Sequence, residues 1–155
     1  MVVRRSAGLL LYRLVSGSPQ VLLGHMGGPL WADRDEGGWS IPKGEYEDDE
    51  APLAAARREF TEELGLPAPT GELVELGQAR QRSGKIVTAW AVEGDLDPAQ
   101  VVPGTFTMQW PRGSGRVLEF PELDRVQWFA VPAARAKLIE GQRPFLDRLL
   151  DHLRG

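Results

Sequence analysis

Cysteine is absent from the 155-residue chain. That excludes a disulfide framework and any thiolate nucleophile, and it suits a reducing compartment such as the cytoplasm. Histidine occurs only as His25 and His152, without the spacing of a metal site, so neither is read as a ligand. There is no surplus of positive charge: 18 Lys plus Arg stand against 22 Asp plus Glu, a net charge of −4. A general nucleic-acid binder is therefore not expected, although a local basic pocket is. No apolar run approaches the length of a membrane span, and no membrane partner is expected. The opening MVVRRSAGLLLYRLVSG has the arginines and short apolar run of a signal peptide. Tyr12 and Arg13 interrupt that run, and no convincing small-residue cleavage site follows. It reads as a first strand.

What remains is an ordinary globular composition, 42% hydrophobic and 26% charged. No repeat, low-complexity tail or domain boundary is visible, so residues 1–155 are expected to form a single domain. SAGLLLYRL and QVLLGHM are apolar runs around SGSP and read as paired strands. GGPLWADRDEGG reads as a glycine-rich loop with Trp31 exposed. WSIPKG is short and extended, because Ile41 precedes a proline. ELVELGQARQ and KIVTAWAVEG alternate around RSG and read as a second hairpin. Residues 95–123 read mostly as loop with a short strand at TFTMQW. RVQWFAV reads as a strand, and AARAKLIEG and PFLDRLLDHL as closing helices, the second with an apolar stripe. Trp90 and Trp128 lie within strands and read as core. The expected class is α/β or α+β, with a mixed sheet.

One helix carries a chemical question. Its sequence, APLAAARREFTEELGL, is rich in helix formers. Pro52 suits the first turn, Ala51 is a poor cap, and Gly65 supplies a stop. Leu53, Ala56, Phe60 and Leu64 recur at three and four and form the expected buried stripe. Glu59, Glu62 and Glu63 share the other face, and two of them fall in the last turn, where the helix dipole disfavours negative charge. A solvated acidic face with an Arg58–Glu62 pair would account for them at about 0.2–0.5 kcal/mol of repulsion. A hard divalent cation would account for them equally well, since Mg²⁺ takes carboxylate oxygens and keeps several waters.

The flanks favour the cation. Gly44, then Glu50 after five residues, then REFTEELGL after seven, resembles the Nudix box at every fixed position. Chance would supply such a match about once in 10⁸ starting points. The lead-in WSIPKGE is similar to that of the branch acting on dinucleoside polyphosphates. The resemblance implies the Nudix fold, a mixed sheet sandwiched between helices. It also implies hydrolysis of a nucleoside diphosphate linked to another group, with Mg²⁺ or Mn²⁺. By the same resemblance, Glu59, Glu62 and Glu63 are metal ligands, and one box glutamate is sometimes the base. Arg58 orients a glutamate, Glu50 supports the loop, Lys43 offers its carbonyl to a metal, and Gly44 gives the turn.

Outside the box a late carboxylate often serves as base in relatives. Glu119 and Glu122 are the choices, with Glu122 preferred for its place just before a strand. Lys43, Arg82 and Lys85 are the cations for phosphate, and Trp31, Phe106 and Trp110 the aromatics for a base, with Trp110 chosen. The expected activity is a pyrophosphohydrolase of a dinucleoside polyphosphate or nucleoside triphosphate, working in the cytoplasm as a monomer or homodimer. Two alternatives stand beside it: a non-catalytic nucleotide sensor, and a hydrolase of a non-nucleotide diphosphate such as a diphosphoinositol.

Overall fold

A computed structural model describes residues 3–155 of the chain; Met1 and Val2 of the expected first strand lie outside them. β1 (Arg5–Val15) and β2 (Ser18–Met26) form the first hairpin. β3 (Trp39–Ser40) and β4 (Lys43–Glu45) split the extended lead-in into two short strands. Helix α1 (Pro52–Leu64) follows, then the hairpin of β5 (Leu73–Arg80) and β6 (Ile86–Glu93). β7 (Thr105–Gln109) and β8 (Val117–Pro121) make a separate hairpin, and β9 (Leu123–Ala130) returns to the main sheet. α2 (Val131–Lys137) and α3 (Arg143–Arg154) close the chain.

The main sheet runs β3-β2-β1-β6-β5, with β4 also on β1 and β9 also on β2. β1 and β6 are parallel and the other pairs antiparallel, so the sheet is mixed. Strand alternation sends Ala7, Leu9 and Leu11 of β1 to one face, where α1 lays Ala55, Ala56, Phe60 and Leu64. Leu10 and Tyr12 point to the other face, where Phe145, Leu146 and Leu149 of α3 cover them together with α2. Burying Phe60 or Leu64 contributes about 1.5–3 kcal/mol each. The sheet thus lies between helices, and the mixed α/β class holds.

Several expectations change in detail. Leu53 is only half-buried and Ala55 takes its place in the core. The helical stripe is turned about one residue, because the sheet is met by the 55–56–60–64 row. Trp39 is fully buried at the end of the lead-in, edge-on to Phe129 at 4.9 Å. Trp90 and Trp128 are half-buried at the margin of the α1-side core. Trp31 is half-buried too, under the Arg34 guanidinium at 5.4 Å. The expected long loop contains a second strand, β8, paired residue for residue with β7.

Candidate active site

α1 begins without a side-chain cap at Ala51 and with Pro52 in its first turn. Its C-terminus is better supplied. Gly65 turns left-handed at φ 68° and bonds the Thr61 carbonyl at 2.8 Å. Main-chain N–H groups of Val102 and Gly104 donate to the Leu64 and Glu62 carbonyls, at 2.9 and 3.1 Å. Carbonyls that would otherwise face the last-turn glutamates are thus satisfied, which lessens the dipole penalty.

Arg58 organises the acidic face. Its Nε and Nη2 each donate to Glu50 at 2.8 Å, a bidentate pair. Nη1 donates to Glu59 at 2.7 Å and to Glu62 at 3.2 Å. The bond to Glu50 first, then those to Glu59 and Glu62, hold the guanidinium charged far above any working pH. Glu50 is held below the usual carboxylate range by Arg58. Glu59 moves the other way: burial raises it, and repulsion from Glu62 and Glu122 adds to this against Arg58.

Glu63 accepts the Lys43 N–H at 3.3 Å. Glu63 and Lys43 are both half-buried residues that line a pocket. Burial pushes Glu63 up to about 8, with Glu122 and Glu59 adding repulsion against the pull of Lys43. Burial and the neighbouring Lys85 bring Lys43 down to about 8, against the carboxylates. Gly44 explains how Glu59 fits: a Cβ there would run into the Glu59 carboxylate.

These groups surround one cavity of about 460 Å³. Glu59, Glu62, Glu63 and Glu122 line it together with Lys43, Lys85, Glu45 and Ser6, and with Met26, Thr105 and Leu123. Among the described residues, no three acidic or histidine side chains stand close enough together to hold a metal ion as they are. Arg58 draws Glu59 and Glu62 toward itself. The donor set is nonetheless all carboxylate oxygen, which suits a hard cation, and a positive ion here would favour ionised Glu63 and Glu59.

Glu122 reaches the pocket because the β7–β8 hairpin begins and ends beside α1. Glu122 N–H donates to the Gly104 carbonyl at 2.8 Å, and Gly27 N–H to the Glu122 carbonyl at 3.0 Å. Glu119 sits exposed on β8 and does not line the cavity. Arg82 and Trp110, selected as substrate contacts, are not among the residues that line the cavity either. Arg82 is exposed in the β5–β6 turn, and Trp110 closes the outer end of the β7–β8 hairpin through its N–H to the Arg116 carbonyl at 2.9 Å. Phe106 packs on Phe120 at 5.9 Å and against Gly28. His25 is buried, with its ring nitrogens on Asp124 at 2.7 Å and on the Arg34 carbonyl, and so ties the 27–38 loop to β9. Ser6 and Glu45 line the pocket but were not singled out from the sequence. Glu45 follows the first box glycine, and that position was the available signal.

A mixed sheet between helices, with a glutamate-bearing helix edged by an Arg58–Glu50 clamp, defines the class of fold and site. The chain belongs to the NUDIX domain family, whose model matches residues 3–149. It is a hydrolase acting on pyrophosphate bonds, and enzymes of this family generally use divalent metal ions. No curated protein matches the chain. Among solved structures it is similar to an Ap4A hydrolase binary complex from C. elegans, at 22% identity, TM-score 0.69 and 99% coverage of both chains. It is similar to the NUDIX domain of Shewanella oneidensis NrtR complexed with ADP ribose, at 12% identity and TM-score 0.64, covering 99% of this chain and 90% of that one. It is also similar to the Nudix hydrolase RenU from M. smegmatis, at 26% identity and TM-score 0.59, covering 96% and 84%.

Proposed function

We propose that the protein is a Mg²⁺- or Mn²⁺-dependent pyrophosphohydrolase of nucleoside polyphosphates, with a dinucleoside polyphosphate ahead of a nucleoside triphosphate. The observation that carries this reading is the convergence of Glu59, Glu62, Glu63 and Glu122 with Lys43 and Lys85 on one cavity. A phosphate chain needs both: cationic side chains to offset its negative charge, and oxygen donors for a divalent metal. The WSIPKGE lead-in and the likeness in fold to the C. elegans Ap4A hydrolase support the dinucleoside choice.

In this reading Glu59, Glu62 and Glu63, with the Lys43 carbonyl, hold the divalent ion. When bound, that ion offsets phosphate charge and acidifies a water. Arg58 keeps Glu59 and Glu62 oriented, and Glu50 keeps Arg58 in place. Glu122 takes the proton of the attacking water. Lys43 and Lys85 grip phosphate oxygens. The whole chain acts as one domain, in the cytoplasm.

The sensor reading has one observation in its favour, the ADP-ribose complex of the similarly folded NrtR domain. All three box glutamates are present in this chain, which favours catalysis. The deciding experiment incubates the purified protein with Mg²⁺ or Mn²⁺ and a panel of dinucleoside polyphosphates, nucleoside triphosphates, ADP-ribose and a diphosphoinositol. Metal-dependent release of phosphorylated products, abolished by EDTA, is expected. Nucleotide binding without turnover of any panel member would instead make it a sensor.

A further inference from the structure

Ser6 is fully buried, lines the cavity, and its Oγ has no hydrogen-bond partner among the described residues. A buried hydroxyl left unbonded is a cost the fold carries, and at a cavity wall it points to a ligand.

The neighbours of Ser6 say which ligand. In the sheet Ser6 stands opposite Glu45 on β4 and opposite Val87 on β6. Lys85, two residues before Val87, shares its side of the sheet and so shares the side of Ser6. Lys43, opposite Gly8, lies on that side as well. Glu45 would repel an anion, but Arg4 binds both its oxygens and holds it ionised and paired. Lys85 Nζ lies 3.7 Å from Glu45, too far for a good hydrogen bond, so its N–H groups remain open to the cavity. Ser6 and the two lysines are therefore grouped on one side of the sheet, and they line the cavity that the α1 glutamates also line.

We propose that Ser6 Oγ and Lys85 Nζ form a phosphate subsite beyond the bond that is cleaved, so that substrates with three or more phosphates gain a contact that two-phosphate substrates lack. This rests on the pyrophosphohydrolase reading and names the substrate class of the same site. Ser6 is a positioning and specificity residue, and it exchanges no proton.

The test compares wild type, Ser6→Ala and Ser6→Cys, the last equal in shape but a weak donor. KM for nucleoside triphosphates and dinucleoside tetraphosphates should rise about 3–10-fold in both variants, the worth of one hydrogen bond, with kcat within about twofold. KM for a two-phosphate substrate such as ADP-ribose should not move. Independently of turnover, inorganic tripolyphosphate with Mg²⁺ should raise the Tm of wild type more than that of either variant, while pyrophosphate should shift all three alike. Unchanged KM and tripolyphosphate shifts in folded variants would overturn the proposal. So would equal KM losses for two- and three-phosphate substrates, or a lower Tm as the sole effect, which would mark a structural hydroxyl. Absence of any turnover by wild type would sink the parent reading instead, so the two failures are distinguishable.

Discussion

Arg58 grips both oxygens of Glu50 at 2.8 Å and keeps its remaining nitrogen, Nη1, for Glu59 at 2.7 Å. One guanidinium thus fixes the Glu59 carboxylate by reference to a residue upstream of the helix. Lysine carries a point charge and cannot reproduce that fork. Arg58→Lys is expected to lower kcat/KM about 10–100-fold, as loss of an orienting partner does. Glu50→Gln should fall in the same range and add little to Arg58→Lys in the double variant. Steady-state kinetics on the three proteins checks this; independent, multiplying losses would contradict the clamp.

Glu63 gives a prediction with a sign that separates function from stability. Its carboxyl rises from the ordinary 4.5 to about 8 in the fold. Between those values the folded state holds a proton that the unfolded chain releases, so the metal-free protein loses stability as pH rises from about 4.5 to about 8. Lys43, brought from 10.5 down to about 8, acts in the opposite window and restores stability between about 8 and 10.5. Glu63→Gln removes the first contribution. It should abolish turnover yet raise the metal-free Tm at pH 8, by roughly 2–4 °C for each kcal/mol relieved. Thermal melts in EDTA from pH 5 to pH 10 test it; a Tm below wild type at pH 8 would refute it.

Only one of the two late carboxylates reaches the cavity. Glu122→Gln is expected to lower kcat about 10²–10⁴-fold with little change in KM, as loss of a general base does. Glu119→Gln, on the exposed face of β8, should stay within about twofold of wild type. Reversal of that order in a side-by-side assay would remove Glu122 from its role.

Gly44 leaves the room that the Glu59 carboxylate occupies. Gly44→Ala should displace Glu59 and raise the Mg²⁺ concentration needed for half-maximal rate by about tenfold or more, with the circular-dichroism spectrum unchanged. A variant with wild-type metal dependence would show that Glu59 stands clear of the cation.

The legible parts of this protein were those written at short range. The helix from 52 to 64 follows from its composition, Pro52 and Gly65, and its glutamates share a face because of the 3.6-residue period. Lys43 and Lys85 could be proposed from their places at strand starts, and both line the cavity. Arg82, selected as a cation in the hairpin turn, and Trp110, selected as an aromatic for a base, do not line it, which only tertiary geometry decides. β8 was hidden because VLEFP is five residues that follow a glycine-rich turn and end in a proline, and it is its pairing with β7 that makes it a strand. Ser6 was illegible for a different reason. A small polar residue entering an apolar strand reads as filler until its lack of a partner can be seen.

The connection at the base of the β7–β8 hairpin is made wholly of main-chain atoms: Gly104 to Glu62, Glu122 to Gly104, and Gly27 to Glu122. Replacing the Glu62 or Glu122 side chain leaves such a splice in place, whereas Gly27 and Gly104 have no room for a Cβ beside the Pro121 and Glu62 carbonyl oxygens. The stretch from 106 to 120 is therefore a cassette clipped at both ends, which can be lengthened, trimmed or re-lettered while Glu122 and the helix terminus stay where they are.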